Sequence, residues 1–223
     1  MILHTARLFV DGPVKRVLDL AASVRESDGA LDLDMELRRF LRLTRATMAT
    51  DWICPIATVN AMLDHVARLC AEGGEEIPRE FEQLLQRAAG GADATEFLHA
   101  LASRLRALEQ DPWEDYDVLP LSRWEIQVRF PQLYGFGYNW LYEGEYENLR
   151  DAVEACIATE HPYCAEFLSP VAAEAQTALV LFPGEQEMKK NLSSVVFWAT
   201  PQTLREFLDA VNEHMRREHV PQP

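Results

Sequence analysis

Apolar positions along this chain recur mostly at helical spacing. Leu37, Phe40, Leu41, Thr44 and Met48 follow an i, i+3, i+4, i+7, i+11 pattern. Ile56, Val59, Leu63, Val66 and Cys70 nearly repeat it, as do Phe97, Leu101, Leu105 and Leu108. The cleanest amphipathic stripe lies near the end of the sequence, at Leu204, Phe207, Leu208, Val211 and Met215.

Start and stop residues agree with these stripes. Pro55, Pro78, Pro170 and Pro201 stand where a first helical residue tolerates a missing N–H, the last two behind the capping residues Ser169 and Thr200. Gly73-Gly74 and Gly90-Gly91 end helices. Nine helices are therefore expected, at about 13–26, 34–48, 55–71, 78–88, 94–109, 145–159, 163–181, 185–198 and 201–218.

Two regions resist a wholly helical reading. Trp124, Ile126, Val128 and Phe130 alternate with Glu125, Gln127 and Arg129 as a strand would, and Pro131-Gln132 is placed to turn it against residues 134–140. The runs 177–182 and 194–198 are short and rich in β-formers, and periodicity does not separate buried strand from buried helix there. The expected fold is all-α, one multi-helical domain over 1–223, with an α+β fold containing short hairpins as the alternative. No linker, repeat or low-complexity tract divides the chain.

The segment 111–146 is expected to be an irregular insert between amino-terminal and carboxy-terminal helical halves. Ten of the 21 aromatic residues fall between Trp113 and Tyr146. Rings with a polar edge supply large apolar area at low entropic cost and are enriched where proteins grip one another. The same rings also serve as mortar between packed helices, with their polar tips satisfied.

Charge sharpens the first of these readings. The net charge is −15, from 36 acids and 21 bases, and residues 109–160 carry twelve acids against three arginines. Such a field repels phosphate backbones and anionic lipid and favours encounter with a basic protein. Acidity also serves plain solubility. The partner-binding residues expected from this coincidence are Trp113, Asp115, Tyr116, Asp117, Trp124, Tyr134, Tyr138, Trp140, Tyr142, Glu143 and Glu145.

Candidate chemistry is sparse. Gly135-Phe-Gly137 lacks the third glycine of a dinucleotide fingerprint, and no phosphate-binding loop, nucleophile elbow or H-E-x-x-H is present. Glu96 and His99 form the one E-x-x-H, and no other histidine supplies the second copy that a di-metal bundle needs. Cys54 precedes Pro55 at a helix start, where a thiol can be activated, but Asp64-His65 lies too far along the same helix to act as its base. The basic stripe Arg38, Arg42 and Arg45 is better matched to the acids of 109–160 than to nucleic acid.

No catalytic residue, metal ligand or cofactor is assigned on these grounds. The first residues show no secretory leader, no apolar run is long enough to cross a bilayer, and Cys54, Cys70, Cys156 and Cys164 show no C-x-x-C pairing. The expectation is a cytoplasmic, non-catalytic protein that binds a basic partner, an acidic inhibitor or toxin-neutralising immunity protein being the type. The alternative is a helical enzyme whose pocket the aromatic insert roofs, with Glu96, His99 or Cys54 in it.

Overall fold

The computed structural model describes residues 8–46, 54–73, 76–111, 119–142 and 144–219. Among these the chain is all-α, with eleven helices and no strand. Residue contacts divide it into two compact units, 1–119 and 120–223.

The first unit holds α1 (Pro13–Glu26), α2 (Leu33–Ala46), α3 (Ile56–Ala71), α4 (Arg79–Ala89) and α5 (Ala94–Gln110). Pro13 starts α1, where its lack of an N–H is harmless, and Asp93 caps α5 by accepting the Glu96 backbone N–H. Gly90 closes α4 in the left-handed region, at φ 58°. A Cβ there would also run into the guanidinium of Arg25, which donates to the Ala88 carbonyl.

The apolar stripes meet in the core of this unit. Leu37, Phe40, Val59, Leu63, Leu98, Leu101 and Leu105 are buried, and Phe9 meets Phe81 edge-on at 4.8 Å. The basic stripe of α2 turns onto its own chain: Arg38 pairs with Asp111, Arg42 donates to the Leu119 carbonyl and Arg45 to the Glu109 carbonyl.

The second unit holds α6 (Arg123–Arg129), α7 (Pro131–Trp140), α8 (Leu149–Glu160), α9 (Cys164–Leu181), α10 (Glu185–Asn191) and α11 (Pro201–Glu218). The strand pattern at 124–130 is overturned, because these residues form α6. Ser122 and Glu125 make a reciprocal capping box that starts a helix there, and Glu125 is itself buried. Residues 131–140 are likewise helical rather than a returning strand. Glu174 of α9 caps them, its carboxylate accepting the backbone N–H groups of Gln132 and Leu133, each at 2.9 Å. The described part of the insert is thus mainly helix, not irregular chain.

Residues 177–181 continue α9. The helix expected at 185–198 stops at Asn191, and turns carry the chain through residue 198. There the Trp198 indole donates to the Leu133 carbonyl at 3.2 Å, and Phe136, Trp198 and Phe207 form a triangle of rings with centroids 5.0–5.8 Å apart. Helix α7 approaches this triangle through Gly137, whose place would put a Cβ 2.6 Å from the indole of Trp198. Helices α8 and α9 both pack against α11, around Val153, Cys156, Leu168, Val171, Leu204, Phe207 and Val211.

Candidate metal centre

Four side chains of the second unit point their donor atoms at one another. Asn148 caps α8 by accepting the Asp151 N–H, and the helix ends at His161, whose N–H donates to the Ile157 carbonyl. After a link of two residues, Cys164 opens α9. Thr200 caps α11, and Pro201 begins it. The buried stripe Leu204, Phe207 and Val211 continues three residues on to His214, and His219 closes the same helix. An imidazole on the apolar face of an amphipathic helix needs a polar partner, and here the partners come from the α8–α9 junction.

Three of the donors are equally spaced. Sγ of Cys164 lies 3.2 Å from Nε2 of His214 and 3.2 Å from Nε2 of His219, and those two nitrogens are 3.2 Å apart. Nδ1 of His161 stands 3.7 Å from the same sulfur. All four donor atoms lie within 4.8 Å of one another. The rings meet edge to face at centroid distances of 5.1–5.8 Å and so surround the sulfur rather than stack on it.

The 3.2 and 3.7 Å spacings are close to those of a tetrahedral ion, and the 4.8 Å spread leaves His161 to close in on it. Zinc bonds of ordinary length put two nitrogens about 3.3 Å apart and a sulfur and nitrogen about 3.6 Å apart. Pairwise hydrogen bonding is a poorer account of the cluster, since each neutral imidazole carries one N–H and the thiol one weak donor, while four lone-pair atoms face a common centre. One thiolate with three imidazoles is a borderline-soft donor set, suited to zinc. The fully buried Cys164 and the buried His214 form the floor, His219 is half-buried and His161 is exposed. Burial, and then the neighbouring imidazoles of His219 and His161, hold the His214 imidazole below its usual pKa, which favours the neutral form that binds a metal.

Near these ligands a cleft of about 300 Å³ runs between α8 and α11, with His214 in its wall beside Arg150 and Arg217. Both arginines are already paired, Arg150 with Glu213 and Glu154 and Arg217 with Glu218. Cys156, deeper in the core, has its thiol pushed up to about 12, chiefly by burial, and stays protonated.

Of the residues singled out from sequence, those the structure describes do not belong to this cluster. Trp113, Asp115, Tyr116, Asp117 and Glu143 lie outside the described residues. Trp124, Tyr134 and Trp140 are half-buried, and the last two pack on the core of the second unit. Tyr138 and Tyr142 are 60% and 69% exposed and continue from Tyr134 as a ladder of rings, with centroids 6.3 and 5.6 Å apart. Glu145 is exposed.

In the first unit His99 pairs with Asp64, itself held by Arg106, and both His99 and Asp64 are open to solvent. Burial raises the pKa of Cys54, the reverse of what activates a nucleophile. Sequence reasoning missed the four donors because it sought a second E-x-x-H. The legible signal was the pair of spacings His161-x-x-Cys164 and His214-x-x-x-x-His219, the second of which falls within the range of zinc-binding histidine pairs.

No helix of the described residues is long and apolar enough to cross a membrane. Searches against known protein families, curated proteins and solved structures find no match to this chain.

Proposed function

We propose that this protein binds one zinc ion through His161, Cys164, His214 and His219, and that the ion is structural, fixing the end of α11 to the α8–α9 junction. The observation that carries this reading is the convergence of one thiol and three imidazoles, whose donor atoms all lie within 4.8 Å of one another. Four protein donors complete the coordination of a structural zinc, whereas a catalytic zinc keeps a position for water. Because such a site does not exist in the unfolded chain, its binding energy is folding energy for the second unit.

The test is metal content. Protein purified without chelator and passed over a desalting column carries one zinc per chain by elemental analysis, and Cys164→Ser and His214→Ala carry almost none. Competition against a chromophoric chelator, run on the unmodified protein, removes dependence on whether the variants fold. Failure to withdraw zinc from a micromolar chelator would overturn the assignment.

A second reading rests on the exposed ladder Tyr138 and Tyr142, next in sequence to the acids at 143, 145 and 147. In this reading the zinc-held unit is a cytoplasmic, non-catalytic binding module for a basic protein, as an inhibitor or immunity protein would be. Tyrosine faces attract cations, and an acidic surround speeds the encounter. Capture of a basic partner that is lost on Tyr138→Ala with Tyr142→Ala, and weakened by salt, supports it. Capture insensitive to both refutes it.

A further inference from the structure

We infer that His161 is an exchangeable ligand, and that the centre is a three-donor seat whose fourth position accepts a small neutral nitrogen donor such as imidazole. This rests on the zinc reading above and deepens it: the ion still ties α11 to the α8–α9 junction through Cys164, His214 and His219, while His161 fills the fourth place replaceably.

The four donors are not equivalent. Cys164, His214 and His219 form a triangle with all three edges 3.2 Å, whereas the four donors together spread to 4.8 Å, so the widest separation in the set belongs to His161. The triangle is built on two helices of 18 residues each, α9 and α11, which pack on one another through Leu168, Val171, Leu204, Phe207 and Val211. Two of its corners, Cys164 and His214, are buried. His161 belongs to neither of those helices. It sits on the link after α8 with its ring exposed, and its side chain meets the other three donors.

An exposed ring held by one metal bond leaves by a small torsional swing into water. The buried corners can leave only by disturbing a packed helix pair. Three protein donors and one replaceable position is the arrangement that lets a bound zinc meet an outside ligand. The exchange is balanced: the Nδ1 lone pair of His161 withdraws, the incoming nitrogen lone pair takes its place, and the zinc-thiolate core keeps a net single positive charge. A neutral donor is favoured over an anion because the surrounding unit carries fifteen acids against eight bases.

Cobalt substitution reads the site directly, since the visible spectrum of Co²⁺ reports both coordination number and the sulfur ligand. The wild-type full chain takes up one Co²⁺ with a four-coordinate, thiolate-bound spectrum; if it takes up none, the zinc reading itself fails. His161→Ala retains one Co²⁺ at a free-metal concentration where Cys164→Ser and His214→Ala retain none. Its spectrum shifts towards a water-bound site, and added imidazole returns it towards the wild-type form. On the wild type, imidazole alters the spectrum without releasing cobalt. Loss of metal from His161→Ala to the extent seen for His214→Ala would overturn the inference. So would retention with an unchanged spectrum, or indifference of the variant to imidazole.

Discussion

Two glycines of α7 separated by a single residue predict opposite effects of the same substitution. A Cβ built on Gly135 meets nothing within 4 Å, so Gly135→Ala adds a methyl to open space and reduces the backbone freedom of the unfolded chain. Alanine in a helix is favoured over glycine by about 1 kcal/mol, and Gly135→Ala therefore stabilises by about 0.5–1 kcal/mol. A Cβ on Gly137 would lie 2.6 Å from both Cδ1 and Nε1 of Trp198. The indole is boxed by Phe136 and Phe207 and donates to the Leu133 carbonyl, so it cannot step aside freely.

Overpacking of this kind costs about 1–3 kcal/mol, and a broken buried hydrogen bond adds about 1–2 kcal/mol. After the helix-propensity gain of about 1 kcal/mol, Gly137→Ala destabilises by about 2–3 kcal/mol. The two variants thus differ by about 3 kcal/mol, or roughly 10–20 °C in the midpoint of a unit of this size. Urea unfolding followed by circular dichroism, on zinc-replete protein, measures the difference. Equal stability of the two variants would refute the close packing of α7 on Trp198.

Three further outcomes are expected. Chelation of zinc lowers the stability of the second unit by about 4 kcal/mol where the ion had stood a thousandfold above its Kd; hydrogen exchange then accelerates in α8, α9 and α11, and an unchanged exchange pattern counts against the centre. Burial raises the Glu174 carboxyl to about 7, against the two backbone N–H groups it accepts. Its contribution is therefore fully present below the ordinary value near 4.5 and lost as pH rises through about 7. Relative to Glu174→Gln, wild-type stability falls by about 2 kcal/mol between pH 5 and pH 8, with allowance for solvent reaching this half-buried group, and parallel pH profiles would contradict this. In the first unit, Asp93→Ala leaves the Glu96 N–H uncapped and costs about 1 kcal/mol by thermal unfolding, while Asp93→Asn costs less.

Long helices with continuous stripes were legible in the sequence because burial repeats along them several times. The spans 13–26 and 201–218 coincide with α1 and α11. Helix α6 was not, because seven residues hold only two turns, and over two turns Trp124, Ile126, Val128 and Phe130 mimic alternation. Its capping box, Ser122 with Glu125, was the readable local sign. Helix α7 is stopped from looking helical by its two glycines, one of which exists for the close approach of Trp198.

The aromatic segment also mixes two roles at single-residue resolution. Phe136 is buried and Tyr138 exposed on the same short helix, a division that composition does not carry. The four donors were hidden because neither pair is a complete site. His161 and Cys164 join His214 and His219 only after α8 and α9 pack against α11. His214 is a polar residue on the buried stripe three positions after Val211, but Met215, one position further, continues the same stripe with an apolar side chain and masks it.

The distance along the chain between the two halves of the zinc site has a consequence for the unfolded state. With an ion in place, residues 161–164 and 214–219 are tied across a span of some fifty residues. By the loop-entropy relation used for cross-links, closing that span removes about 4 kcal/mol of chain freedom. A protein whose four cysteines are all unpaired would thereby possess a clasp with no disulfide to reduce, one that opens when the metal is withdrawn or its ligands are protonated.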